Sequence, residues 1–419
     1  MITREEIEQK SDELGVVPAN VERDYVFGWL LAGIYGHSSL RDRLVLKGGN
    51  AFRKAYFLHT RFSNDLDFSA PTGIAQLQMV EELNRVCDFV QAQTGIVFDK
   101  ERNMLRKKPH ADTERDYYEA RLYFQDFYGN PNSITISVRL DFTEFEHIYL
   151  PIQNRQLIHP YSDAPQCLVE LRCQKLEELL ASKLKCLLQR RHSSDLFDFV
   201  FSVFISHELE IDRKEIVWTF LRKTIFERAP GVVKGLLLEL PFDVIKGLWQ
   251  KYLVCPKPIV LEFDQAARIF REGIQVLFGD LPIWHERQLA YFPAHLRNPI
   301  MEAASNLTLL RARYNGFSRL VEPYSLVFKR RQDGIAREYF YVYDRTGGRH
   351  APGIKAFVQE NIQEMDNTTE VFQPRFPVEL SKAGEEFGNT YFGSRFGGRR
   401  RSMNPHGRSV LAKGRMYRP

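Results

Sequence analysis

Ser63, Asp65 and Asp67 stand two residues apart in the stretch RFSNDLDF, with Phe62, Leu66 and Phe68 at the alternate positions and Asn64 as the one exception. A period of two is the mark of a strand with one apolar and one polar face. Such a strand must lie in a sheet packed on one side and open on the other. Aspartate is depleted in strands, and like charges on one face repel. The arrangement is tolerated where the face is simply solvated, or where a cation sits between the acids.

Three neighbouring features favour the cation. Gly48, Gly49 and Asn50 follow the short apolar run LVLK and precede AFRKAY, which reads as a strand, a glycine turn and a helix start. Adjacent glycines let a backbone approach a phosphate, and a helix N-terminus offers free N–H donors. In LEELLASKLKCLLQR the apolar stripe runs through Leu176, Leu179, Leu180, Leu184, Leu187 and Leu188, and Lys183 falls inside it. A lysine there snorkels or meets an anion. Asp198 interrupts the nearly all-apolar LFDFVFSVFI and also needs a partner, whereas Asp195 after Ser193 and Ser194 is explained equally well by helix capping.

Mg²⁺ prefers oxygen ligands and often uses one or two carboxylates together with substrate phosphates. A dicarboxylate, a glycine turn, a lysine in an apolar groove and a second buried acid therefore point to phosphoryl or nucleotidyl transfer, in which electrostatics and positioning carry most of the catalysis. A two-metal site needs a further carboxylate. Asp141, among the apolar strand residues of SITISVRLDFTEF, is preferred over Glu144 and Glu146; an edge-strand charge is its bland reading.

The chain of 419 residues is long enough for two or three domains. The expected α+β organisation has four parts. Residues 1–165 form a core of N-terminal helices and strands that contains the dicarboxylate. Residues 166–290 form a helical domain, 291–385 a small β-barrel, and 386–419 a flexible basic tail. From residue 387 on, that tail has eight of the 58 Lys and Arg residues and no acid, so the rest of the chain is slightly acidic. Such a tail suits contact with nucleic acid or another polyanion, or serves only to solubilise. The apolar runs are too short to span a membrane, the N-terminus has no apolar signal core, and five cysteines without a CxxC pair fit a reducing cytoplasm.

LVLKGGNAFRKAYFLHTRFSNDLDF resembles the first motif of the AbiEii/AbiGii-type nucleotidyltransferase toxins, and SKLKCLLQRRHSSDLFDF resembles their later one; the likeness covers roughly residues 20–280. It implies a polymerase-β-like core followed by a helical bundle. By resemblance, Asp65, Asp67 and Asp141 ligate Mg²⁺, with two ions expected. Gly48, Gly49 and Asn50 cradle the β- and γ-phosphates of an NTP. Lys47, Arg61 and Ser63 line the same pocket, Lys183 contacts the triphosphate, and Asp195 or Asp198 completes the later motif. Two positions depart from the family: Asn50 replaces Ser or Thr, and Ser194 replaces the Arg before Asp195. The implied reaction transfers NMP to an acceptor expected to be RNA, with a tRNA 3′ end among the candidates. The implied role is that of a toxin or phage-defence effector with a cognate antitoxin. The alternative is a catalytically degenerate nucleotide- or nucleic-acid-binding regulator.

Residues 300–380 resemble a WYL domain, a small Sm-like β-barrel. Lys355 stands at a ligand-pocket arginine of that family, while Glu360, Asn361 and Ile362 replace its later D-R-I. Tyr339, Tyr341 and Tyr343 alternate to one face of a strand, where packing is the commoner role and a binding platform the rarer one.

Overall fold

The computed structural model describes residues 2–109, 116–127, 136–144, 146–279, 281, 289–330, 336–347, 351–376, 378 and 383–384. The basic tail lies outside the described residues.

Two helices open the chain, α1 (Arg4–Leu14) and α2 (Pro18–His37). Thr3 caps α1, Gly15 ends it in the left-handed region, and Pro18 stands in the first turn of α2. The first sheet contains β1 (Val45–Lys47), β2 (Asp65–Ala70), β3 (Met104–Pro109), β4 (Asp116–Phe124), β5 (Ile136–Glu144), β6 (Gln153–Gln156) and β7 (Glu170–Cys173). Their spatial order is β3-β4-β5-β2-β1-β7-β6. β2 pairs antiparallel with β1 and parallel with β5. A four-residue helix, α3 (Gly48–Ala51), follows β1 and continues as a π-turn over Phe52–Tyr56. Between β2 and β3 runs α4 (Gln76–Thr94), ended by Gly95 at φ 75° as its sequence predicts. After α4, Phe98 makes an isolated antiparallel bridge to Phe124 of β4.

The sheet alternates as the period of two requires. Leu66, Phe68, Tyr118, Ala120, Leu122, Val138, Leu140 and Phe142 are buried, while Asp65, Asp67, Arg121, Arg139 and Asp141 on the other face reach solvent. Phe68 and Phe142 stack with ring centroids 5.3 Å apart, which locks β2 to β5.

Helices α5 (Leu176–Gln189), α6 (Ser193–Val200), α7 (Arg213–Arg222), α8 (Pro230–Leu238), α9 (Phe242–Tyr252) and α10 (Phe263–Leu277) follow. The leucine stripe of α5 is buried in the same apolar cluster that holds α2 and the inner face of the sheet. Among the described residues, no helix is long and apolar enough to cross a membrane.

The remaining elements are β8 (Leu289–Ala290), α11 (Ala294–Asn306), β9 (Thr308–Tyr314), β10 (Phe317–Arg330), β11 (Ala336–Asp344), β12 (Gly353–Phe357) and β13 (Ile362–Val371). They build an antiparallel sheet in the order β12-β11-β10-β9-β13, with β8 added parallel to β11. The expected closed Sm-like barrel is corrected here: among the described residues β12 and β13 occupy opposite ends of the ladder and the sheet is open. Phe357 of β12 and Ile362 and Met365 of β13 nevertheless share one apolar cluster with α11, so side-chain packing rather than hydrogen bonding draws the ends together. The tyrosine row packs: Tyr341 is buried with Tyr324, Phe372 and Phe376, and Tyr339 and Tyr343 lie against them. Lys355 is engaged within the sheet, donating to Asp344 Oδ2 at 2.6 Å and to the Gly347 carbonyl at 2.9 Å.

Candidate active site

Parallel register sets Asp67 of β2 opposite Asp141 of β5. With Asp65 they form a triad in which one carboxylate oxygen of each lies within 4.8 Å of the others. Burial, then the Asp65 charge, pushes the Asp67 carboxyl up to about 7, against the pull of Lys47 and Arg190. Three hard oxygen donors at this spacing, with one acid strained by its neighbours, fit a divalent cation. Asp65, Asp67 and Asp141 would hold it.

Gly48 sits beside the triad at φ +70°, and a Cβ built there would stand 2.1 Å from Asp67 Oδ2. At Gly49 a Cβ would meet Ser63 Oγ at 2.5 Å and Arg61 Nη2 at 3.0 Å. Both glycines are therefore demanded by close approach, the first also by its backbone. Ser63 donates to Asp65 Oδ1 at 3.2 Å, fixing that carboxylate. Asn50, expected against phosphate, is fully buried and its side-chain amide donates to the Asp65 carbonyl. Its amide braces β2 from behind rather than facing the open side.

Lys47 stands opposite Asp67 in the ladder with β2. Its ammonium pairs with Glu146 and lies 3.2 Å from Thr143 Oγ1. Glu146 also accepts from Ser69 Oγ at 2.6 Å. Burial would raise the Glu146 carboxyl, but Lys47 and Lys223 hold it down at about 2.

Lys183 is buried, with Nζ 2.7 Å from Asp198 Oδ2 and 3.1 Å from Asp195 Oδ1. Arg61 makes a two-pronged contact to Asp198 at 2.6 and 2.7 Å. Arg190 does the same to Asp195, at 2.7 Å for each prong. The three cations and two acids form one chain of charge-assisted bonds from β2's approach segment into α5 and α6. Burial opposes ionisation of both aspartates, but the paired cations hold both carboxyls below the usual range. Lys183 is raised for the complementary reason, its two aspartates outweighing burial. Asp195 is the acid in the first turn of α6, whose N-cap is His192, and its carboxylate also pairs with Lys183 and Arg190.

Two arginines were not legible as site residues. Arg190 has a 59% exposed side chain and lies close enough to Asp67 to lower its proton affinity. Arg139 pairs with Asp65 and places Nε 3.2 Å from Asp141 Oδ2. Its spacing of two from Asp141 was the available signal.

Acids converging beside a glycine turn, with fixed cations behind them, suit movement of a nucleotidyl group, and the chain is a nucleotidyltransferase. It belongs to the nucleotidyl transferase AbiEii toxin family of type IV toxin–antitoxin systems, whose model matches residues 29–267. The second sheet lies beyond that match. Among solved structures, the chain is similar to the MenT4 nucleotidyltransferase toxin of Mycobacterium tuberculosis, at 21% identity and a TM-score of 0.46, over 67% of this chain and 91% of that one. No curated protein matches.

Proposed function

We propose that this chain uses Mg²⁺ to transfer NMP from an NTP to an RNA acceptor, acting as a toxin restrained by a cognate antitoxin in the cytoplasm. The observation that carries the reading is the triad of Asp65, Asp67 and Asp141 on adjoining strands beside the Gly48–Gly49 turn. Bound Mg²⁺ supplies charge neutralisation at the α-phosphate and a lowered pKa for the attacking hydroxyl.

The chain's own groups do the positioning. The Gly48–Gly49 turn offers its backbone to the triphosphate, and Ser63 holds Asp65 in place. Arg190, exposed and anchored on Asp195, offers its remaining donors to the phosphates. Lys183 and Arg61 act one layer behind, holding Asp195 and Asp198 so that Arg190 and the β2 approach segment keep their positions. Asp141 accepts the proton of the acceptor hydroxyl, and pyrophosphate leaves on the glycine-turn side. In this scheme residues 1–165 and 166–290 supply the site's side chains, and 291–385 form a separate part.

The test is incubation of the purified chain with each α-labelled NTP, Mg²⁺ and total cellular RNA. Label appears in RNA with wild type and disappears with Asp65→Asn/Asp67→Asn. Equal inertness of both proteins across all four NTPs would instead support the nucleotide-binding regulator.

A further inference from the structure

Arg139 has a charge role that neither sequence motif assigns. It precedes Asp141 by two positions in β5 and therefore shares that strand's open face. Register sets it directly opposite Asp65. Its guanidinium reaches both Asp65 and Asp141, so one cation of the protein spans two of the three carboxylates that would hold Mg²⁺. A guanidinium and a divalent cation repel when they share the same acids. The side chain is 46% exposed, which leaves it an exit toward solvent.

The sheet order indicates where that exit leads. The glycine turn follows β1, on one flank of β2, whereas β5, β4 and β3 lie on the other. On that second flank the cross-strand neighbour of Arg139 is Arg121, anchored by Glu119 at 2.8 Å, and Arg106 of β3 pairs opposite Glu119. Arg139, Arg121 and Arg106 are exposed along one face, while Leu140, Ala120 and Leu122 between them are buried. A polyanion reaching the triad along this face meets guanidinium groups in succession. Planar guanidinium donors match phosphate oxygens two at a time.

Building on the nucleotidyltransferase reading, we propose that Arg139 is the resident counter-ion of the acidic triad, that an entering divalent cation displaces it, and that it then grips a backbone phosphate of the RNA acceptor on the flank opposite the glycine turn. The NTP and the acceptor thus approach the triad from opposite sides of β2. Cation entry arms the acceptor site by releasing this side chain.

Mn²⁺ is the probe cation, followed by electron paramagnetic resonance on metal-free wild type, Arg139→Gln, Arg139→Lys and Asp65→Asn/Asp67→Asn. Arg139→Gln binds Mn²⁺ about five-fold more tightly, the scale of a partly exposed ion pair, and Arg139→Lys falls between it and wild type. A short single-stranded RNA is then titrated by fluorescence anisotropy. Saturating Mn²⁺ raises RNA affinity in wild type by about five-fold more than in Arg139→Gln, and without Mn²⁺ the two proteins bind alike. Mn²⁺ affinity in Arg139→Gln equal to or below wild type overturns the displacement. Absence of an Mn²⁺-dependent difference in RNA binding overturns the acceptor contact. Undiminished Mn²⁺ binding by Asp65→Asn/Asp67→Asn removes the underlying metal site, a failure separate from either.

Discussion

Gly48 and Asp67 fit against each other so closely that a Cβ on the glycine would stand 2.1 Å from the aspartate's Oδ2. The glycine also adopts φ +70°, which costs an L side chain on the order of 1 kcal/mol. Gly48→Ala must therefore strain the turn and push Asp67 out of the triad. The expected outcome is a loss of transfer activity of about 100-fold, the scale of one misplaced catalytic group. Thermal unfolding should drop by the equivalent of about 1–2 kcal/mol. Unchanged activity in a folded variant would show that the glycine turn does not shape the site.

Asp67→Asn separates stability from activity. The carboxyl is held up near 7 by burial and by Asp65, so at pH 8 its ionised form is disfavoured by its surroundings. Removing that charge should leave the metal-free melting temperature the same or slightly higher, by no more than about 1 kcal/mol equivalent after solvent screening. Transfer activity should nevertheless fall about 1,000-fold or more with one metal ligand gone. Calorimetry on the chelator-treated proteins, run beside the labelling assay, checks both halves.

Lys183→Met should behave in the opposite way. The lysine lies between two fully buried aspartates, and its loss leaves them under-compensated. A destabilisation of about 3 kcal/mol is expected, read from the urea midpoint. The double variant Lys183→Met/Asp195→Asn should recover part of that loss. A lysine serving only the triphosphate would instead change NTP affinity at constant midpoint.

Arg190→Ala probes the exposed end of the same chain of charges. Lys183 still satisfies Asp195, and the arginine side chain is more than half in solvent, so the stability cost should stay below about 1 kcal/mol. The KM for NTP should rise about ten-fold, the scale of a lost charge-assisted phosphate contact, with a smaller change in kcat. Steady-state kinetics at fixed acceptor provide the split.

Acid should unfold the protein through the same groups. Asp195 and Asp198 are depressed below their ordinary 3.8, and Glu146 is lowered from 4.5 to about 2. A depressed carboxyl stabilises the fold fully above its unfolded value and loses that contribution as pH falls toward its folded value. The melting temperature should thus be insensitive to these groups above about pH 5 and fall steeply between about pH 4 and 2. Arg61→Met, which removes a partner of Asp198, should lower the melting temperature at neutral pH and shrink the part of that fall carried by Asp198.

What could be read from the sequence follows from what is local. The faces of β2 and β5 were legible because a period of two needs only a few residues. The C-cap at Gly95 and the leucine stripe of α5 were legible for the same reason. Lys183 and Asp198 each stood out as a charge in apolar surroundings, and each was correctly read as needing a partner. That each would find the other depends on how α5 and α6 pack. Arg139 and Arg190 gave no such signal, since an arginine at a half-exposed position is ordinary. The bond from the Asn50 amide to the Asp65 carbonyl had no sequence signal, because position in a motif does not reveal which way a side chain turns. The open second sheet is a matter of long-range pairing, which strand propensity does not encode.

The parallel ladder between β2 and β5 has a consequence for when this chain becomes dangerous. Parallel neighbours cannot be joined by a tight turn, and here α4, β3 and β4 intervene before the third acid arrives. The charges that steady the opposite rim come later still, from α5 and α6. A growing polypeptide therefore has no working centre until most of its first two-thirds has emerged and folded together. A product harmful to its maker would stay harmless through the early part of its own synthesis, giving an antitoxin made alongside it time to be ready.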